Sequence, residues 1–181
     1  IFIEDWSASA VASPRRPGLG AASVRIIAQS EGYAIDLTLD SAKPMVLLAS
    51  GTGFAPIKAI VEHLRHAGIA RPAVLYWGGR RPRDLYMNDW CMRAAAELPW
   101  LRYVPVVSDA LPEDGWTRRT GFVHRAVMED LPDLSGYQVY ACGAPIVVDS
   151  AQRDFVAECS LPAEEFYADS FTSEADKHGN A

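Results

Sequence analysis

Apolar residues in this chain fall into short continuous runs that alternate with stretches of helical spacing. Met45–Ala49 is an unbroken apolar run, the length of a strand buried on both faces. After Ser50-Gly51-Thr52-Gly53 the period changes. Over Ala55–Leu64, Ile57, Ile60, Val61 and Leu64 fall on one helical stripe, and Pro56 suits a first turn, where its missing N–H costs nothing. The exchange then repeats. Ala73–Trp77 predicts a strand, Met87–Leu98 a helix with Trp90, Cys91, Ala94 and Leu98 inward, and Leu101–Val107 a third strand. Thr120 is placed to cap a helix over Phe122–Glu129, with Val123, Val127 and Met128 pointing inward. A fourth strand, Tyr137–Cys142, leads through Gly143-Ala144 into a helix over Pro145–Cys159, and Glu165–Ala168 predicts a short fifth strand.

This rhythm predicts an α/β fold: a five-stranded parallel sheet, order 3-2-1-4-5, with helices on both faces. In that order the first and fourth strands are neighbours. Their turns, Gly51-Thr52-Gly53 and Cys142-Gly143-Ala144-Pro145, then face one crevice at the carboxyl edge of the sheet, where such folds bind ligands. Ahead of the central strand, Ser23–Ala28 and Tyr33–Leu39 read as a hairpin around Ser30-Glu31-Gly32. Residues Ile1–Leu19 read as loop or linker, rich in small residues and broken by Pro14, Pro17 and Gly18.

Composition narrows the function classes. The 181 residues are 49% hydrophobic and 22% charged, with a net charge of -6 and scattered Lys and Arg, which argues against a nucleic-acid surface. No apolar run approaches a membrane span, and Ile1–Trp6 lacks the basic and apolar regions of a signal peptide. Cys91, Cys142 and Cys159 are odd in number and widely spaced, so neither a disulfide framework nor a C-x-x-C site is expected, and a reducing cytoplasm is the expected setting. His63 and His66 read as a solvated helix face, and no metal site is expected.

The candidate chemistry lies in the turns. Strand, glycine turn and helix start bring backbone N–H groups and a positive helix end against a phosphate, and a side chain at Gly51 or Gly53 would hold that phosphate away. The motif is not G-x-G-x-x-G, because Pro56 replaces the third glycine. Nor is it a P-loop, because Lys58 lacks its G-K-[ST] context. An ordinary tight turn is the competing reading. After the second strand, Gly78-Gly79-Arg80-Arg81-Pro82-Arg83-Asp84-Leu85-Tyr86 offers guanidinium groups for phosphate or adenine and a carboxylate for ribose hydroxyls. A solvated basic loop, with Asp84 capping the next helix, explains it as well. Cys142, at a strand's carboxyl end and a helix start, is read as a buried thiol, a nucleophile, or a soft contact beside a cofactor ring.

Taken in order, Ala49–Pro56, Tyr76-Trp77-Gly78-Gly79-Arg80, Asp84-Leu85-Tyr86, Thr120-Gly121, Cys142-Gly143-Ala144-Pro145 and Phe166–Phe171 resemble the pyridine-nucleotide domain of the ferredoxin–NADP reductase superfamily. The resemblance runs from about Lys43 to Phe171 and is nearest to the NADH-dependent branch of flavin reductases, oxygenase reductase components and CDP-6-deoxy-glucoseen reductase-like proteins. It implies a Rossmann-like domain. Gly51, Thr52, Gly53 and Pro56 would hold the pyrophosphate and nicotinamide end, and Gly79, Arg80, Asp84 and Tyr86 the adenosine half. Cys142 and Gly143 would lie beside the nicotinamide. Cys142 and Phe171 are the implied catalytic positions, Phe171 near the flavin or else closing the core edge.

The implied cofactors are NADH, with NADPH as the alternative that Arg80 and Arg81 leave open, and FAD. The implied chemistry is hydride transfer to flavin, then electron delivery to an iron–sulfur protein, haem protein or oxygenase component. The family's flavin domain is a β-barrel of about 100 residues with an Arg-x-Tyr-Ser type motif. Only 42 residues precede Lys43, without that motif. The expected division is therefore 1–42 as an N-terminal extension or barrel remnant, 43–171 as the NAD(P)H-binding domain and 172–181 as a polar tail. FAD would be bound mainly by residues outside this chain, in a flavin domain or flavin-binding partner. The competing functions are a non-catalytic nucleotide-binding or redox-docking module that has lost flavin binding, and an enzyme whose nucleophile is Cys142.

Overall fold

The alternation at the centre of the chain is what builds the core. In a computed structural model that describes residues 8–12, 23–28 and 33–170, strand β4 (Met45–Ser50) sends Met45, Leu47 and Ala49 to one face and Val46 and Leu48 to the other. All five are fully buried. On the first face they meet α1 (Phe54–His66) and α2 (Asn88–Glu97); on the second they meet α3 (Val123–Asp130) and α4 (Pro145–Glu158). The expected layering of helices on both faces is present.

Around β4 stand β5 (Ala73–Gly79), β6 (Leu101–Val107), β7 (Arg119–Thr120), β8 (Gln138–Gly143) and β9 (Phe166–Ser170), all parallel. The order is β7-β6-β5-β4-β8-β9. This corrects the expected five-stranded sheet of order 3-2-1-4-5: among the described residues the parallel sheet has six strands, with β7 added at the edge beyond β6. Two residues carry no period, so β7 exists through its pairing of Arg119 with Val106 and Thr120 with Val107. Thr120 is thereby a strand residue and caps no helix. Phe122 precedes α3 instead, without a side-chain cap.

A separate antiparallel sheet, β1 (Ala8–Ala12), β2 (Ser23–Ala28) and β3 (Tyr33–Thr38), lies against α1. The expected hairpin is present as β2–β3, although its turn at Ser30–Gly32 lies outside the described residues. Ala8–Ala12, read as loop, is a strand, because pairing with β2 supplies what its small residues lack in propensity. Ile35 and Leu37 of β3 complete the core on the α1 face.

At the amino ends of the strands the chain is closed by a buried polar network. Arg71 donates through Nε to the Lys43 carbonyl at 2.5 Å, through Nη1 to the Thr38 carbonyl at 2.9 Å, and to Gln138 Oε1. Gln138 Nε2 donates to Glu165 Oε2 at 2.6 Å, and Lys43 Nζ pairs with Glu165 Oε1 at 2.6 Å. One guanidinium thus ties β3 to β4 and β8. Arg71→Ala would take a donor from the part-buried Lys43 and Thr38 carbonyls and from Gln138 Oε1, which keeps the Tyr140 hydroxyl, and a loss of about 1–3 kcal/mol of folding stability is expected, read as a lower urea midpoint. A midpoint equal to wild type would mean that the network is not under tension to hold the two sheets.

Candidate nucleotide site at the carboxyl edge

Ala49 of β4 and Cys142 of β8 are register partners, so the two glycine turns leave the sheet side by side. Their glycines then fit each other. A Cβ on Gly53 would lie 2.3 Å from the Cys142 carbonyl oxygen and 2.6 Å from Gly143 Cα. One on Gly143, whose φ is +152°, would lie 2.6 Å from Ser50 Cβ. Gly51 differs: open space surrounds its missing Cβ, and it is its φ of +54° that favours glycine. At Gly53 the space that a side chain would need is already taken by the second turn. Gly53 faces the second turn and allows the two to close.

Aromatic side chains fix the first turn from beneath. Trp77 stacks on Phe54 with ring centroids 3.9 Å apart, and its Nε1 donates to the Gly51 carbonyl at 3.1 Å. Trp90 meets Phe54 edge-on, and Tyr86 meets both Phe54 and Trp77 edge-on. Trp77 and Phe54 are buried while Tyr86 is half exposed. Above this base Thr52 is exposed and Pro56 is buried in the first turn of α1. Neither α1 nor α4 has a side-chain cap or an acidic residue in its first turn. Both helix starts consequently keep their positive ends toward the same edge, which suits an anionic group.

One strand away, the loop after β5 is stitched in place. Gly78 leaves room for Val123 of α3, since a Cβ would come within 2.8 Å of Val123 Cβ. Asp84 Oδ2 accepts from the backbone N–H groups of Arg80 at 3.0 Å and Arg81 at 2.8 Å. Asp84 thus closes its own loop rather than capping α2. Ser108 N donates to the Gly79 carbonyl and Asp109 N to the Arg80 carbonyl, joining this loop to the one after β6. Arg80 is 81% exposed, with Asp109 at 3.4 Å, whereas Arg81 is held by Asp114.

The structure brings Gly51, Thr52, Gly53, Pro56, Cys142 and Gly143 to one place, and Gly79, Arg80, Asp84 and Tyr86 beside it, with Tyr86 reaching back to the turn. The Cys142 side chain is wholly buried on the α1 face, closed to an attacked substrate. Phe171 lies outside the described residues; the last described residue, Ser170, is paired with Gly143. Sequence reasoning missed the roles of Ser50, Phe54, Trp77 and Trp90. Of these, Ser50, Phe54 and Trp77 stand inside the quoted motifs, and for Trp77 an aromatic near the end of a buried strand was the available signal.

A parallel sheet whose two glycine turns close on each other at the carboxyl edge is the architecture of a nucleotide-binding α/β domain. The chain belongs to the oxidoreductase NAD-binding domain family, which it matches over residues 47–153. It is 42% identical over 131 residues to the CDP-6-deoxy-L-threo-D-glycero-4-hexulose-3-dehydrase reductase of Yersinia pestis, covering 71% of this chain and 38% of that protein. It is 33% identical over 132 residues to an NAD(P)H-flavin reductase of Aliivibrio fischeri, covering 73% of this chain and 55% of that one. Among solved structures, a cytochrome P450 reductase of Amycolatopsis superposes with a TM-score of 0.66 at 28% identity, over 87% of this chain and 46% of the reductase. The chain therefore spans from about two-fifths to about half of the length of these proteins. Among the described residues no helix is long and apolar enough to cross a membrane.

The reciprocal fit makes a graded prediction. Gly53→Ala and Gly143→Ala must push the turns apart and should each cost about 1–3 kcal/mol of stability. Gly51→Ala meets no atom and should cost about 1 kcal/mol through backbone conformation alone. Urea unfolding of the three variants checks the ranking.

Proposed function

We propose that residues 43–171 form the NAD(P)H-binding domain of a flavin-dependent oxidoreductase, with 1–42 as an extension and 172–181 as a tail. The observation that carries this reading is the closed pair of glycine turns, together with membership of the NAD-binding family. The chemistry that a bound dinucleotide and FAD would supply is hydride transfer from NAD(P)H to the flavin, with electrons then passed on to an iron–sulfur or other acceptor. The chain's own task is alignment and exclusion of water.

Gly51, Thr52 and Gly53 hold the pyrophosphate against the start of α1, whose first turn contains Pro56. Gly79, Arg80, Asp84 and Tyr86 hold the adenosine half, Asp84 acting chiefly by fixing the loop that carries Arg80. Cys142 and Gly143 seat the nicotinamide, Cys142 through the position of its turn, since its thiol faces the core. Phe171 approaches the flavin beyond the end of β9. FAD is held mainly by a flavin domain or a flavin-binding partner, and the partner that takes the electrons is an iron–sulfur protein or oxygenase component. The donor is NADH in preference to NADPH, and the compartment is the cytoplasm.

Titration with NADH and NADPH, with and without added FAD, followed by stopped-flow flavin absorbance, tests this. Binding below the millimolar range and bleaching of the flavin are expected. Cys142→Ala, which keeps the backbone of its turn, should slow bleaching by no more than about tenfold without abolishing it. Nucleotide binding with no flavin reduction would favour a binding module, complete loss in Cys142→Ala a thiol nucleophile, and no binding at millimolar nucleotide would overturn the reading.

A further inference from the structure

The loop after β5 presents Arg80, Arg81 and Arg83, which by number would make it a phosphate-binding cluster. The loop after β6 answers with Asp109, Glu113 and Asp114. The two loops meet most firmly at one pair. Arg81 Nε donates to Asp114 Oδ2 at 2.7 Å and Arg81 Nη2 to Asp114 Oδ1 at 2.7 Å. This is the two-pronged geometry in which guanidinium and carboxylate satisfy each other in one plane.

Asp114 is itself fixed. Its Oδ2 also accepts from the Leu111 N–H at 2.9 Å, across a tight turn that ends at Gly115 with a φ of +58°. Hydrogen bonding from Arg81, then from the Leu111 N–H, holds its carboxyl down to about 2, so the charge is present at any working pH. Arg80, by contrast, is mostly solvent-exposed and reaches Asp109 only at 3.4 Å.

We infer that Asp114 is a specificity-determining residue: by clamping Arg81 it denies a guanidinium to a phosphate on the adenosine ribose, and so favours the dinucleotide that lacks one. This rests on the reading above that the loop after β5 receives the adenosine half. A ribose 2′-phosphate carries about two negative charges near neutral pH. Beside this pair it meets a cation already satisfied and an acidic loop behind it. Freeing Arg81 requires breaking two charge-assisted hydrogen bonds. NADH requires no such exchange.

Asp114→Asn keeps an oxygen to accept from the Leu111 N–H while removing the charge that holds Arg81. The quantity to measure is the ratio of the NADPH to the NADH dissociation constant, by equilibrium titration of the full chain. In Asp114→Asn the ratio should fall by about fivefold, the size expected for releasing one surface ion pair. In Arg81→Gln it should rise, because Asp114 is left uncompensated. The double variant should lose the gain made by Asp114→Asn. An unchanged ratio in Asp114→Asn overturns the inference alone, as does a fallen ratio in Arg81→Gln, or a double variant that keeps the gain. A wild-type chain that binds neither nucleotide overturns this inference together with the domain reading beneath it.

Discussion

The structure depends on the contact between two backbones. Gly53 and Gly143 each occupy a place where a single methyl group would collide, one with the Cys142 carbonyl and the other with Ser50. That mutual approach converts two strand ends into one edge with two helix starts beside it. It also accounts for the departure from G-x-G-x-x-G. In that fingerprint the third glycine serves close helix packing. Here the close approach is made at Gly53 against the neighbouring turn, and Pro56 can occupy the helix start.

The two ends of the sheet are built on opposite principles. At the amino ends, Arg71, Gln138, Glu165 and Lys43 consume one another's polar groups and bind the antiparallel sheet to the parallel one. At the carboxyl ends, backbone and helix starts are left without capping side chains, and the turns are held from below by Trp77, Phe54, Tyr86 and Trp90. Rigidity is thus supplied by packing on the far side of the turns, which leaves the outer side for a ligand.

Much of this was legible in the chain. The apolar run Met45–Ala49 implied a strand buried on both faces, and the change of period after Gly53 implied α1; both follow from local spacing. The convergence of the two turns followed from strand adjacency, which the addition of β7 at the edge does not disturb. Other features were not legible because their causes are non-local. Ala8–Ala12 and Arg119–Thr120 become strands only through their neighbours. Gly53 reads as glycine in sequence, but what its Cβ would strike is a carbonyl far along the chain. Arg81 and Asp114 stand 33 residues apart, and no period relates them. Thr120 had the chemistry of a cap and was drawn into an edge strand instead.

The most direct test follows backbone amides by NMR while NADH is added to an isotopically labelled chain. A single dinucleotide lying across both turns predicts that the amides of Thr52, Phe54, Cys142 and Gly143 shift together and yield one dissociation constant. Shifts confined to one turn, or separate constants for the two, would contradict a shared cleft.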